Sequence, residues 1–377
     1  MKVEFFRHQL GEINLRRFEK VMNSIFLTTG EEVGLFEDKF ASYLDQNHAV
    51  GLTSATAALH LSLLALGVGH GDEVITTPLT FVATSLAIMH VGAQPVMVDV
   101  EPETGNIDVS RIGAVITPRT KAIIPVHLYG QMIDMIKLSE LARKSGLLIV
   151  EDAAHCLEGS RDGIRVGELA DAACFSFYAT KSITCGEGGA VTTNDSELAS
   201  KLRKLRLHGM STDAADRYTK LYRHYDVDVE GWKYNMSNLQ AALLMDQIDM
   251  IEQWRQRREQ ISLYYRAAFS SVDGLEMLQL LGGVTQSHLM FTILVNHEKR
   301  DIILWALQDE GVGVAVNYRP LHLYTLFREK LGSREGDFPM AEMIGSRTIS
   351  LPLYPGLQDT EIDFVVDKVK KVVKRIG

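Results

Sequence analysis

The run Phe175-Ser176-Phe177-Tyr178-Ala179-Thr180-Lys181-Ser182 continues into Ile183-Thr184-Cys185-Gly186-Glu187-Gly188-Gly189. An apolar stretch ends near Tyr178, a lysine follows, and a glycine-rich turn leads into the next apolar stretch. A lysine in a loop between two buried strands loses part of its hydration, which frees its amine to act as a nucleophile near neutral pH. The plain alternative is a surface lysine beside turn-forming glycines. Asp152 is the second candidate, in Leu147-Leu148-Ile149-Val150-Glu151-Asp152-Ala153-Ala154-His155. It follows an apolar strand directly, which puts a carboxylate at the strand end where open α/β sheets collect their ligands. Taken alone, such an acid caps a helix or pairs with a base. The third candidate is Thr53-Ser54-Ala55-Thr56-Ala57-Ala58-Leu59-His60, where the chain leaves a strand and enters a helix through small and hydroxylated residues. Free N–H groups at a helix start, together with short hydroxyls, cradle phosphate. An ordinary N-cap at Ser54 explains that residue equally well.

These residues need elements to hold them. Short apolar runs at 48–53, 73–78, 94–100, 122–128, 147–153, 173–178 and 189–193 read as strands. Helical patterns at 55–66 and 81–91 fall between them, so the alternation predicts a mostly parallel sheet covered on both faces. From about residue 251 the texture changes to a long helical pattern through 268, a strand-like run at 290–295 and a closing helix over 360–376. In that last stretch Ile362, Val365, Val366, Val369, Val372, Val373 and Ile376 recur at helical spacing. The division predicts a large domain over 1–250, with an N-terminal arm, and a smaller one over 251–377.

Composition removes several function classes. The 377 residues include 39 Lys and Arg against 48 Asp and Glu, a formal charge of −9, opposite to the balance of a nucleic-acid binder. The basic cluster at 255–258 reads as a solvated helix face. Three cysteines, Cys156, Cys174 and Cys185, lack CxxC spacing, which argues against a disulfide framework and a structural zinc site. Nothing resembles a signal core or a membrane span, so a cytoplasmic protein without membrane or metal partners is expected. No complete GxGxxG occurs, and Gly67-Val68-Gly69-His70-Gly71 lacks its spacing, which disfavours a dinucleotide site.

Each candidate has an ordinary explanation on its own. Together, in this order, they supply the contacts required by a cofactor carrying an aldehyde, a pyridine nitrogen and a phosphate. The sequence also resembles the DegT/DnrJ/EryC1/StrS family of sugar aminotransferases, within the fold type I pyridoxal-phosphate enzymes. The likeness runs from Thr29-Gly30 and Phe36-Glu37-Asp38-Lys39-Phe40-Ala41 through Gly71-Asp72-Glu73-Val74-Ile75, Asp99 and Ile123-Ile124-Pro125-Val126-His127. It continues through the three segments above to Gly231-Trp232-Lys233-Tyr234-Asn235-Met236-Ser237 and Tyr318-Arg319-Pro320-Leu321-His322.

The resemblance implies a mostly parallel seven-stranded sheet flanked by helices, with a smaller C-terminal α+β domain. It implies pyridoxal phosphate held covalently on Lys181, alternating with pyridoxamine phosphate. It implies that Asp152 pairs with the ring nitrogen, Phe81 stacks on the ring and His155 lies near it. Thr56, the Ala57 amide and Ser176 match phosphate ligands, and Asn235 matches a residue reaching the phosphate from a neighbouring subunit, hence a homodimer with shared sites. Tyr178, Tyr318 and His322 fall where relatives line the sugar or nucleotide pocket.

Ala179 and Ser182 depart from the proline and asparagine common beside the lysine in relatives. Tyr178 stands where many members acting at the sugar 4-position have histidine, and tyrosine is frequent in members acting at the 3-position. The Thr184-Cys185-Gly186-Glu187-Gly188-Gly189 continuation is more similar to the 4-position group. The expected reaction is amino transfer from L-glutamate, released as 2-oxoglutarate, to a keto sugar linked to a nucleotide, the 4-position being favoured. The amino sugar would serve polysaccharide (lipopolysaccharide among them), glycan or antibiotic synthesis. Family dehydratases usually carry histidine in place of the lysine, so Lys181 argues against that activity. A carbocyclic ketone such as an inosose stays open as the acceptor. A non-catalytic regulatory protein on the same fold is the remaining alternative.

Overall fold

The computed structural model describes residues 1–211 and 224–376. Its strands run in chain order as β1 His48–Leu52, β2 Glu73–Thr76, β3 Gln94–Met97, β4 Thr120–Ile123, β5 Leu148–Asp152, β6 Ser160–Arg161, β7 Ile164–Arg165, β8 Ala172–Ser176, β9 Gly189–Thr193, β10 Val284–Thr285, β11 Phe291–Leu294 and β12 Thr348–Leu351. Seven of them make the main sheet, in the order β1-β9-β8-β5-β4-β2-β3. Only β9 runs against the others. The expected mostly parallel sheet is therefore present, with one strand reversed after the glycine turn.

Alternating side chains explain how both faces are filled. Ala172 and Cys174 of β8 pack with Val50, Leu59, Val150 and Val191 in one core. Ala173 and Phe175 of the same strand enter the other, against Phe36, Phe40, Ile123 and Ile149. Phe40 and Phe175 meet edge to face, with ring centroids 5.2 Å apart. The helix Ala55–Ala65 is apolar nearly all round, because Ala57 through Leu63 are all buried. A helix of that composition belongs between a sheet and other helices, not on a surface.

A separate apolar cluster gathers Ile261, Tyr265 and Phe269 from the helix Ile251–Phe269, the β11–β12 pair, and one face of the helix Asp359–Ile376. That last helix buries the predicted Ile362, Val365, Val366, Val369, Val372 and Val373. The N-terminus is fastened to the same cluster. Val3 is fully buried, its N–H donates to the Gly311 carbonyl at 2.8 Å, and its own carbonyl accepts from Gly313 at 2.8 Å. Among the described residues, no helix is long and apolar enough to cross a membrane.

The sheet's carboxyl end is crowded at one point that decides the site. Gly189 opens β9 directly beneath the start of the helix Ala55–Ala65. A Cβ there would lie 2.3 Å from the Ser54 carbonyl carbon and 2.6 Å from the Ala55 nitrogen. Backbone cannot give way as a flexible side chain can. Gly189→Ala is expected to destabilise the protein by about 2 kcal/mol or more in urea unfolding, and an unchanged unfolding midpoint would contradict this packing.

Candidate active site

Strand order brings the three candidate segments together. β1, β8 and β5 lie within four adjacent strands and point the same way, so the residues following them converge. They line one cavity of about 510 Å³ that includes Ser54, Ala55, Thr56, Phe81, Asp152, His155, Ser176, Tyr178, Lys181 and Tyr318. That volume suits a small organic molecule.

Asp152 ends β5 and is buried. Its Oδ2 accepts from the Thr84 hydroxyl at 2.8 Å and its Oδ1 from the Ala154 amide at 3.2 Å. Loss of hydration pushes its pKa up, while those two hydrogen bonds and the charge of Lys181 oppose the rise. Lys181 answers in the opposite sense. Burial lowers its amine to about 8, and the Asp152 carboxylate keeps it from falling further. The Lys181 amide donates to the Tyr178 carbonyl at 2.9 Å, which folds the loop into a turn.

In the same cavity Ser54 caps its helix, its side chain accepting from the Ala57 N–H at 3.1 Å. The first turn carries no acidic residue, so the helix end keeps its affinity for an anion. Phe81 is 56% exposed at the cavity wall, unusual for a large apolar ring and apt for covering a flat ligand. Tyr318 lies near it, with ring centroids 6.1 Å apart. Tyr318 also stacks on His155 at 5.8 Å, and its hydroxyl is 3.0 Å from His155 Nε2. Burial, reinforced by Lys181, holds His155 well below the usual histidine range, so the ring is neutral at pH 7.

Three predicted residues lie outside the lining. Ala57 is buried and its amide is already given to Ser54 Oγ. The Asn235 side chain donates to Thr29 Oγ1 at 2.6 Å and to Thr28 Oγ1 at 3.4 Å. His322 is fully buried, with Nε2 2.8 Å from Glu342 Oε1. The reading of residues 255–258 as a solvated face needs correction at Arg258. Its side chain is 2% exposed, paired at 2.5 Å with a fully buried Glu158, because a charge inside a protein needs an opposite charge beside it. Sequence reasoning also passed over Thr84, which holds the site carboxylate. The available signal was two threonines four residues apart, Thr80 in the bend before the helix Ala83–His90 and Thr84 in its first turn, and their hydroxyls lie 3.0 Å apart. Phe5, Met290 and Asn317 also line the cavity, without any such signal.

The residues fit a molecule with an anionic group for the helix start, a flat ring for Phe81, a protonated ring nitrogen for Asp152 and a carbonyl for Lys181. No cluster of three or more His, Cys, Asp or Glu suited to a metal occurs among the described residues. The sequence matches the model of the DegT/DnrJ/EryC1/StrS aminotransferase family over residues 8–370. It is 40% identical over 371 residues to the spore coat polysaccharide biosynthesis protein SpsC of Bacillus subtilis, covering 97% of this chain and 95% of that one. The fold is similar to that of Spr1654 from Streptococcus pneumoniae, described as a sugar aminotransferase and solved in its PMP form, with TM-score 0.94, 31% identity and full coverage of both chains. The PLP form of the same protein superposes at 0.93 with 30% identity, again over both whole chains. Helicobacter pylori PseC, an aminotransferase involved in the biosynthesis of pseudaminic acid, gives 0.92 with 30% identity, also over both whole chains.

In cofactor-free protein, modification of Lys181 by an amine reagent, mapped by mass spectrometry, should rise through about pH 8. Asp152→Asn removes the one charge that holds the ammonium form, so the midpoint should move lower. A midpoint near that of an ordinary lysine would show that the amine is not desolvated.

Proposed function

We propose that this chain, which belongs to the DegT/DnrJ/EryC1/StrS aminotransferase family, transfers the amino group of L-glutamate to a keto group of a nucleotide-linked deoxy-sugar, the 4-position being favoured. Activity as a pyridoxal-phosphate-dependent aminotransferase follows from the family. The observation that carries the reading is the meeting of Lys181 and Asp152 in one cavity that is also lined by a helix N-terminus free of acidic residues.

Pyridoxal phosphate, when bound, supplies an aldehyde that condenses with amines and a ring that withdraws electrons from the adjoining carbon. The chain's own residues supply the rest. Thr56 and Ser176, with the helix start behind Ser54, hold the phosphate. Thr84 holds the Asp152 carboxylate in the cavity, where it would pair with the ring nitrogen and keep that atom protonated. Phe81 covers one face of the ring. An amine titrating near 8 is partly unprotonated at neutral pH, so Lys181 Nζ, with the cofactor and glutamate bound, would take the proton from the α-carbon of glutamate and give one back at the carbon that the cofactor contributes. With a keto sugar in place, Lys181 Nζ would make the same two proton transfers in the opposite order, while the bound group would supply the nitrogen and the keto oxygen would leave as water. Tyr178, exposed at the cavity wall, and Tyr318, whose hydroxyl lies 3.0 Å from His155 Nε2, would meet the sugar. Asn235 would serve the neighbouring protomer's phosphate in a homodimer, and His322 would act on the substrate only from outside the cavity wall. The chain would divide into a large domain over 1–250, with an N-terminal arm, and a smaller one over 251–377, a division supported by the separate apolar cluster around the helix Ile251–Phe269.

Protein loaded with pyridoxal phosphate should absorb near the visible edge, and glutamate should bleach that band with stoichiometric release of 2-oxoglutarate. Lys181→Ala should lower turnover by at least about a thousandfold. A mass-spectrometric screen of nucleotide-linked 3-keto and 4-keto sugars identifies the acceptor. A protein that holds no chromophore, or a Lys181→Ala variant that still turns over, would refute the assignment.

A further inference from the structure

Next to Lys181 the loop is gripped by a buried ionic cluster that the reaction as described does not use. Glu158 Oε1 and Arg258 Nη2 pair at 2.5 Å. The Ser182 hydroxyl sits between them, accepting from Arg258 Nη2 at 3.2 Å and donating to Glu158 Oε2 at 3.2 Å. Arg258 Nε donates to the Ser287 carbonyl at 3.1 Å, and the Glu158 amide donates to Ser287 Oγ at 3.1 Å. The Ser287 amide in turn donates to the Gly130 carbonyl at 2.9 Å. Gly130 is itself confined, since a Cβ there would lie 2.9 Å from the His155 carbonyl oxygen and 2.9 Å from Ser287 Cβ.

Burying two charges costs more hydration than their attraction returns unless further hydrogen bonds complete them, so such a pair is a poor source of stability. Its geometric effect is the better explanation for it here. The loop after β8 is fastened downstream by Gln247, which accepts from the Thr184 amide at 3.0 Å and donates to the Thr184 carbonyl at 2.7 Å. Ser182 provides the fastening on the residue adjoining the lysine. The cluster also spans two parts of the fold, because Arg258 belongs to the helix Ile251–Phe269 while Glu158 and Ser182 flank β6 to β8. Glu158 neutralises the guanidinium, and the charge that acts on the Lys181 amine is that of Asp152. The cluster can therefore fix a position without adding charge beside the nucleophile.

We propose that Glu158 and Arg258, acting through the Ser182 hydroxyl, are positioning residues for Lys181 and tie its placement to the seating of the helix Ile251–Phe269. This rests on the role of Lys181 proposed above. The test uses full-length cofactor-free protein mixed with pyridoxal phosphate, the growth of the near-visible band being followed by stopped flow and the melting temperature of each cofactor-free variant recorded. Ser182→Ala removes one hydrogen bond from each buried charge and should lose some melting temperature, and it should form the band about tenfold more slowly, the order of effect expected from displacing a reacting group by a fraction of an ångström. Ser182→Thr, which keeps the hydroxyl, should restore the rate. Single removal of Glu158 or Arg258 strands a buried charge and threatens folding, so the double variant Glu158→Gln/Arg258→Gln is used, with the same slowing expected. A Ser182→Ala rate equal to that of the unaltered protein would overturn the proposal, as would equal slowing in Ser182→Ala and Ser182→Thr accompanied by equal loss of melting temperature. If the unaltered protein forms no band, the role of Lys181 itself fails, a result visible before any substitution is compared.

Discussion

Burial acts in opposite directions on the two ionisable groups at the centre of this fold. It raises the pKa of Asp152 and lowers that of Lys181, and each charge restrains the shift of the other. An acid and an amine kept in this way sit closer to their protonation midpoints than either would in water. Chemistry that moves protons at neutral pH needs such groups, and the rest of the structure can be understood as the apparatus that keeps water away from them while fixing their positions.

That apparatus is mostly topology. Parallel strands deliver their following loops to one edge, and the order β1-β9-β8-β5 puts the helix start, the lysine loop and the aspartate in neighbouring positions. The reversed β9 brings Gly188 and Gly189 back to the same edge, where the absence of a side chain lets Ser54 approach. Alternation along β5 sends Glu151 away from the cavity. There it is fully buried and 2.7 Å from His127 Nε2, while the Gly167 amide donates to it at 3.1 Å. The ring's Nδ1 accepts from the Ile133 amide at 3.3 Å, so Nε2 carries the proton. Two adjacent carboxylates on one strand thus serve opposite faces of the sheet.

Much of this was legible beforehand because local pattern and tertiary structure agree. Continuous apolar runs marked the buried strands, and the valine and isoleucine spacing at 360–376 marked the face that the closing helix buries. Asp152 was legible because it directly follows an apolar run, and Lys181 because it stands between the end of one apolar run and a glycine-rich turn. Arg258 was not, because a cation in a polar helical stretch looks solvated until its partner is known, and Glu158 lies 100 positions away. Thr84 was hidden for a related reason: a helical threonine gives no sign of which distant carboxylate it will hold. Phe5 reaches the cavity only because Val3 is tied to Gly311 and Gly313 more than 300 residues later. Contacts of that kind depend on the assembled fold, so local periodicity contains no record of them.

The central claim concerns one nitrogen atom, and reduction of the loaded protein tests it most directly. Holoprotein treated with borohydride, digested and mapped by mass spectrometry should carry the reduced pyridoxyl group on Lys181, in near-stoichiometric amount. A tag on another lysine, or none at all, would contradict the account.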